Sequence, residues 1–242
     1  MTTPPGGWWS WRGKARAAVG GYYDNNLASE RLRRCYELAP PRVRQYLEAE
    51  IHHVLSHLSP DCHVLELGCG YGRVLTALVP AATLAVGVDT SRASLAAARR
   101  DLAAYPDLRL LAMDAAALGF RDGTFDVVVA IQNGISAFHR DPAALLREAC
   151  RVVRPGGTVL FSSYADAFWE HRLDWFRRQA AAGLVGAIDE ARTGNGVIVC
   201  TDGFTATTFS PADFLKMTAD LPATVRIVEV DGSSVFCEIN LK

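Results

Sequence analysis

Apolar residues keep a helical rhythm from Leu27 to Leu38, and Pro40-Pro41 interrupts it. Beyond the prolines, Val43, Leu47, Ile51, Val54 and Leu58 recur at three- and four-residue steps, one apolar stripe to lay against a core, with Pro41 suited to the first turn. After Ser59-Pro60 the period changes. His63 to Leu67 is a short apolar run ending in Gly68-Cys69-Gly70-Tyr71-Gly72, followed by a helix to about Val79, so the order is strand, glycine turn, helix. Thr83 to Val88 predicts a second strand ending in Asp89, and Ser91 caps a helix with Leu95, Ala98 and Leu102 on one face. Arg109 to Met113 predicts a third strand, ending in Asp114. Phe125 to Ile131 is apolar throughout, which suits a central strand covered on both faces. Asp141-Pro142 starts a helix through Val153, Pro155-Gly156-Gly157 ends it, and Thr158 to Ser162 predicts a fifth strand.

Strands alternating with helices at this spacing predict a doubly wound α/β fold on a mostly parallel sheet. Residues 165–208 break the regularity: an aromatic helix carrying Phe168, Trp169, Trp175 and Phe176 precedes a hairpin turning at Gly194-Asn195-Gly196 and a further strand after Asp202-Gly203. This stretch is expected to be an insertion over the sheet edge that covers the substrate. Ser210-Pro211 opens a short helix, and Thr224 to Val230 and Val235 to Asn240 predict a closing antiparallel hairpin about Asp231-Gly232, completing seven strands. Residues 1–58 are expected to be an N-terminal arm and helical cover, and residues 59–242 the body, in one compact unit. The first 21 residues, with Trp8, Trp9 and Trp11 among Gly, Pro and charge, have the composition of a mobile arm or lid.

Twenty-five Lys and Arg against 26 Asp and Glu give a net charge of −1, so no net field draws the chain to nucleic acid or an anionic membrane. No apolar stretch has the length of a secretory signal or a membrane span, and the expected location is the cytoplasm. The six cysteines lie far apart without a paired spacing, which reads as reduced, buried thiols. His53 and His57 share a helical face at a zinc-site spacing, but no carboxylate or Cys accompanies them at matching distance in sequence. They are expected to be solvated helix residues, and no metal ligand set is assigned.

Three glycines at alternating positions between a strand and a helix let backbone approach a ligand and present amides at a helix N-terminus. The spacing departs from the G-x-G-x-x-G of dinucleotide sites, although an acid ending strand two, Asp89, suits ribose hydroxyls in either setting. Read in order, E-L-G-C-G-Y-G from Glu66, G-V-D from Gly87, M-D-A-A-A-L-G-F-R-D-G-T-F-D-V-V-V from Met113 and R-V-V-R-P-G-G from Arg151 resemble the class I S-adenosylmethionine-dependent methyltransferases of Rossmann-like fold. The resemblance covers roughly residues 61–163.

That resemblance implies S-adenosylmethionine as cofactor, S-adenosylhomocysteine as product, and in-line transfer of a methyl group to a small-molecule nucleophile (O, N, C or S). Glu66, with the backbone of Gly68, Gly70 and Gly72, would surround the methionine portion. Asp89 would hold the ribose, Asp114 and the amide of Ala115 the adenine, and the backbone around Gln132 the ligand's amino group, with Tyr23 in a covering segment. Each acid also has an ordinary structural role open to it: Glu66 as a helix cap, Asp89 as a turn or cap residue, Asp114 as a loop brace. Tyr22, Asn133, His139 and Tyr164 are substrate-facing candidates. His139, in the loop after strand four, is the candidate base for an acceptor that must lose a proton, and the catalytic residue is otherwise unassigned. The readings that compete are a sensor or partner subunit that binds the cofactor without catalysis, a methyltransferase for RNA or protein, and, last, a nucleotide-dependent oxidoreductase. The oligomeric state is not legible.

Overall fold

The computed structural model describes residues 21–242, and the arm at residues 1–20 lies outside the described residues. Its helices are α1 (Tyr22–Asn26), α2 (Glu30–Glu37), α3 (Pro41–Leu55), α4 (Leu75–Leu78), α5 (Arg92–Asp101), α6 (Gly134–Ala137), α7 (Pro142–Val152), α8 (Trp169–Ala181) and α9 (Pro211–Thr218). The strands are β1 (His63–Leu67), β2 (Leu84–Asp89), β3 (Arg109–Ala112), β4 (Phe125–Ala130), β5 (Val153–Tyr164), β6 (Val197–Val199), β7 (Thr205–Thr207), β8 (Ala223–Val230) and β9 (Ser234–Leu241).

Seven of these strands form one sheet in the order β3-β2-β1-β4-β5-β9-β8, parallel from β3 to β5, with β9 antiparallel to both of its neighbours. The pleat sends alternate residues to opposite faces. Leu65, Leu67, Val128, Ala130 and Val159 join Leu145, Leu146 and Ala149 of α7 and Phe214 of α9. Val64, Val127, Val129 and Leu160 join Val54 of α3, Leu75 and Leu78 of α4 and Leu95 of α5 on the other face. The continuous apolar run of β4 is thus covered on both sides, as a central parallel strand requires.

The expected caps form. The Ser91 side chain accepts from the amide of Ser94, and Asp141 accepts from that of Ala143 ahead of Pro142 at the first turn. At α9, Ser210 and Asp213 form a reciprocal capping box. Ser210→Ala is therefore expected to cost about 1 kcal/mol, lowering Tm by roughly 2–4 °C in thermal unfolding.

Several boundaries differ from the sequence expectation for local reasons. The helix expected from Leu27 to Leu38 begins only at Glu30, as α2, because Ser29 just before it has a φ of +52°; α1 is a separate short helix that ends at Asn26. The helix after the glycine turn is one turn long and tightens into a 3-10 turn at Val79–Ala81, where Pro80 cannot donate to a longer helix. Pro155-Gly156-Gly157 does not precede β5 but lies inside it: Phe125 pairs with Val153 and Val127 with Thr158, so the extra residues bulge. A Cβ at Gly157 would meet the Asp126 carbonyl oxygen at 2.5 Å, which only glycine tolerates.

The insertion after β5 departs most. The Gly194–Gly196 turn closes a single bridge to Val197, and the two-stranded ribbon is β6 with β7, folded at Thr201–Phe204. It lies over the carboxyl ends of β4 and β5 rather than the sheet edge. Asn133 donates to the Thr207 carbonyl (3.1 Å), the Thr207 amide donates to Ser136 (2.9 Å), and the Phe209 amide donates to Ser163 (2.8 Å). Arg172 of α8, fully buried, ties the ribbon down by donating to Gly196 and Ala206 carbonyls at 2.9 Å each. Leu173, Phe176, Ile198 and Phe204 pack with Leu27 and Cys35, so insertion and N-terminal helices share one apolar cluster above the sheet.

Candidate functional site

Between that cover and the carboxyl ends of β1, β2 and β4 lies a partly open cleft of about 220 Å³. Its floor is the turn after β1. Gly68, Gly70 and Gly72 all have positive φ (73°, 53° and 89°), a conformation that L side chains rarely adopt. The turn is held from behind, with the Gly68 and Cys69 amides donating to the Val88 carbonyl (2.8 and 3.0 Å). A Cβ on Gly72 would strike Leu102 at 2.7 Å, so this glycine serves the contact with the segment after α5 and does not line the cleft.

Glu66, the next-to-last residue of β1, lines the cleft although it is 5 % exposed, and its Oε2 has no hydrogen-bond partner. Burial raises its pKa to about 8; the Arg73 guanidinium and the Leu75 amide oppose the rise, and the nearby Asp89 charge adds to it. Asp89 ends β2 with its carboxylate held in place: Oδ2 accepts from the Gly70 amide and Oδ1 from the Ser91 amide, both at 2.8 Å. Asp114 follows β3. Its Oδ1 accepts from the Ala116 amide (2.9 Å) and its Oδ2 from Arg140 (2.7 Å). Three acids from three successive strands thus meet at one edge of the sheet, where parallel α/β sheets take their ligands.

Gln132 and Asn133, after β4, both have left-handed backbone (φ +58° and +60°). The Gln132 amide donates to Glu50 Oε2 (2.6 Å) and Ser162 Oγ (2.8 Å), while its side-chain oxygen accepts from Arg73. Glu50 on α3 is fully buried, and burial pushes its pKa up to about 7 against the hydrogen bonds from Ser162 and Gln132. Arg73 also lies 4.4 Å over the Tyr36 ring.

Of the residues singled out from sequence, Glu66, Gly68, Gly70, Asp89, Asp114, Ala115, Gln132, Tyr23 and His139 line the cleft. His139 sits in left-handed backbone (φ +48°) beside Phe138, whose ring fills the space over Gly68. Tyr22, Asn133 and Tyr164 are not among the lining residues. The Tyr22 hydroxyl donates to Asp202 of the insertion (2.5 Å), and its ring packs edge-on to Phe204. Asn133 bridges Ser163 and the insertion. Tyr164 is buried between Tyr46, Phe168 and Arg172.

Sequence reasoning missed Arg73, Arg140 and Glu50. Each left a signal: Arg73 immediately follows the glycine turn, Arg140 precedes the Asp141-Pro142 helix start, and Glu50 interrupts the apolar stripe of α3.

A mostly parallel seven-stranded sheet closed by an antiparallel hairpin, with a glycine turn and three acids at its carboxyl edge, is the Rossmann-like fold of the class I S-adenosylmethionine-dependent methyltransferases. A family model described as a methyltransferase domain matches residues 64–157. The chain is 32% identical over 209 residues to an arsenite methyltransferase of Aquipseudomonas alcaligenes, covering 75% of this chain and 58% of that protein. It is 28% identical over 169 residues to the 2-methyl-6-phytyl-1,4-hydroquinone methyltransferase of Synechocystis, covering 61% and 52%. It therefore spans little more than half the length of these relatives. The magnesium protoporphyrin IX methyltransferase of Synechocystis, solved with bound S-adenosylmethionine, shares the fold at a TM-score of 0.62 and 17% identity, covering 91% of this chain and 94% of that one. Among the described residues, no helix is long and apolar enough to cross a membrane.

Proposed function

We propose that this protein transfers the methyl group of S-adenosylmethionine to a small-molecule acceptor. The observation that carries the reading is the unpartnered, buried Glu66 oxygen at the floor of a cleft walled by left-handed glycines. A desolvated carboxylate of this kind is stabilised by a cation brought to it, and the ligand's amino group is such a cation. The residues present fit the rest of the cofactor. Asp89 offers the ribose a carboxylate already oriented by two backbone amides, and Asp114 with the Ala115 amide offers the adenine an acceptor and a donor. When bound, the cofactor supplies a methyl group made electrophilic by its sulfonium. The protein's own part is to align the acceptor and exclude water, for which α1, α2 and the segment between them, which line the cleft through Tyr23, Leu27, Leu32 and Tyr36, are placed.

The cleft is lined by Tyr23, Leu27, Leu32 and Tyr36 from the cover and by Phe138 after α6, which supports an apolar or aromatic acceptor. His139, a lining imidazole, is the candidate to take the acceptor's proton. Arsenite, the acceptor named for one relative, is a poor match, because arsenic(III) seeks several thiolates. All six cysteines are buried and unbridged, only Cys69 reaches the cleft, and burial raises its pKa well above the ordinary thiol value.

Calorimetric titration with S-adenosylmethionine and S-adenosylhomocysteine, with NAD as control, tests the cofactor. Micromolar binding of the first two and none of NAD is the expected result, and binding of NAD alone overturns it. Methyl transfer from labelled cofactor to a panel of phenols and hydroquinones then separates an enzyme from a sensor, which would bind the cofactor in a cleft that admits no acceptor.

A further inference from the structure

On the sheet face opposite α7, the helix that carries Glu50 runs on to Leu55, and its last turn with the turn that follows sets His53 and His57 against the closing hairpin. There Glu238 of β9, 4 % exposed at its side chain, faces both imidazoles from the far end of the chain, 185 residues beyond His53. Glu238 Oε1 lies 3.0 Å from His53 Nε2 and 3.5 Å from His57 Nε2, and the three candidate ligand atoms lie within 4.8 Å of one another. This is the carboxylate that the His53–His57 spacing lacks when the sequence is read by itself.

The hydrogen bonds around the cluster set its chemistry. His57 Nδ1 is 2.9 Å from the His53 carbonyl oxygen, which only accepts, so Nδ1 carries the proton and donates. In the neutral ring that leaves Nε2 as a lone pair aimed at a carboxylate oxygen, an arrangement that is repulsive until a cation stands between them. A proton is one such cation and a metal ion is the other. His53 is held against the Phe236 ring (centroids 4.3 Å apart), which fixes its imidazole facing Glu238. On the far oxygen of Glu238 the guanidinium of Arg226, 69 % exposed, stands 3.7 Å away, a weak partner that leaves Oε1 turned to the histidines.

We propose that His53, His57 and Glu238 bind a divalent transition-metal ion of the zinc type. Two imidazoles and one carboxylate are a borderline-soft N2O set that zinc accepts. Nδ1–H bonded to a backbone carbonyl is the tautomer-fixing arrangement found behind ligating histidines. The histidines are 16 % and 24 % exposed at their side chains, so a fourth ligand, water, has access from solvent. The ion would pin α3 to the β8–β9 hairpin. The same helix carries Glu50 beneath Gln132, so the site is a structural clamp behind the cleft and takes no part in the chemistry there.

The test uses tag-free, full-length protein stripped with a chelator and titrated with zinc chloride by calorimetry, with thermal unfolding in parallel. One ion bound per chain, a raised Tm, and at least tenfold weaker binding in His57→Ala are expected. Because His57 is at the surface, that variant folds, which circular dichroism of the variant checks. Glu238→Gln, which keeps the shape of the buried side chain, should weaken zinc similarly. Cobalt(II), added to the stripped wild type, should give visible absorption that zinc displaces. Zinc binding of equal strength in wild type and in the His53→Ala, His57→Ala double variant, or no binding by the wild type, overturns the proposal.

Discussion

Cofactor affinity is expected to rise about tenfold per pH unit between about pH 6 and 7.5, and Glu66→Gln should abolish most of that slope. Glu66, at about pKa 8 in the ligand-free protein, is mainly protonated across this window. An ammonium group docked on the unpartnered Oε2 favours the ionised carboxylate, so binding expels a proton, and affinity grows as pH rises toward the ligand-free pKa. The slope ends near 8, where α-amino groups themselves lose their charge. Adenosine, which lacks the amino acid, should bind with a flat profile, and S-adenosylhomocysteine should track S-adenosylmethionine. The stability of the ligand-free protein carries the opposite sign. Between the ordinary carboxylate value and about 8 the folded state holds a proton that the unfolded chain has released, so stability falls as pH rises through that window. Glu66→Gln should reduce this slope, leaving the part that Glu50 carries below about pH 7, and give a protein that melts higher at pH 8 yet binds cofactor poorly. Equal pH slopes in wild type and Glu66→Gln, read by calorimetry, would remove Glu66 from the binding site.

Much of this arrangement is legible in the sequence because local physics fixes it. The glycine turn, the acids at or just beyond the carboxyl ends of β1, β2 and β3, the caps at Ser91, Asp141 and Ser210, and the Asp231-Gly232 hairpin each rest on a few neighbouring residues. Asp231 and Gly232 both take positive φ in the structure (56° and 61°), as such a turn demands. What sequence reading loses is whatever depends on distant partners. Glu50 is unremarkable until the Gln132 amide and Ser162 are seen to meet it. His53 and His57 read as solvated until β9 supplies Glu238. The seat of the insertion is hidden from the sequence for the same reason. Its seat is set by Arg172 reaching the Gly196 and Ala206 carbonyls and by Asn133 reaching Thr207, contacts spanning 24 to 74 residues that no local periodicity encodes.

Asp89→Ala is expected to weaken S-adenosylmethionine binding by about 1–3 kcal/mol, roughly 5- to 150-fold, the cost of removing a charged acceptor of two hydrogen bonds. The structure complicates a simple reading of that loss, because the carboxylate also holds the amides of Gly70 and Ser91, and the variant loosens the glycine turn itself. The two contributions separate in a double-mutant cycle that pairs wild type and Asp89→Ala with the cofactor and its 2′,3′-dideoxy analogue. If Asp89 accepts from the ribose hydroxyls, the analogue binds the wild type weakly and loses little more in the variant, leaving a coupling of at least about 1 kcal/mol. If the carboxylate serves only to shape the turn, both ligands weaken by the same factor and the coupling vanishes. That second outcome would keep Asp89 as part of the fold of the site while taking away its contact with the ligand.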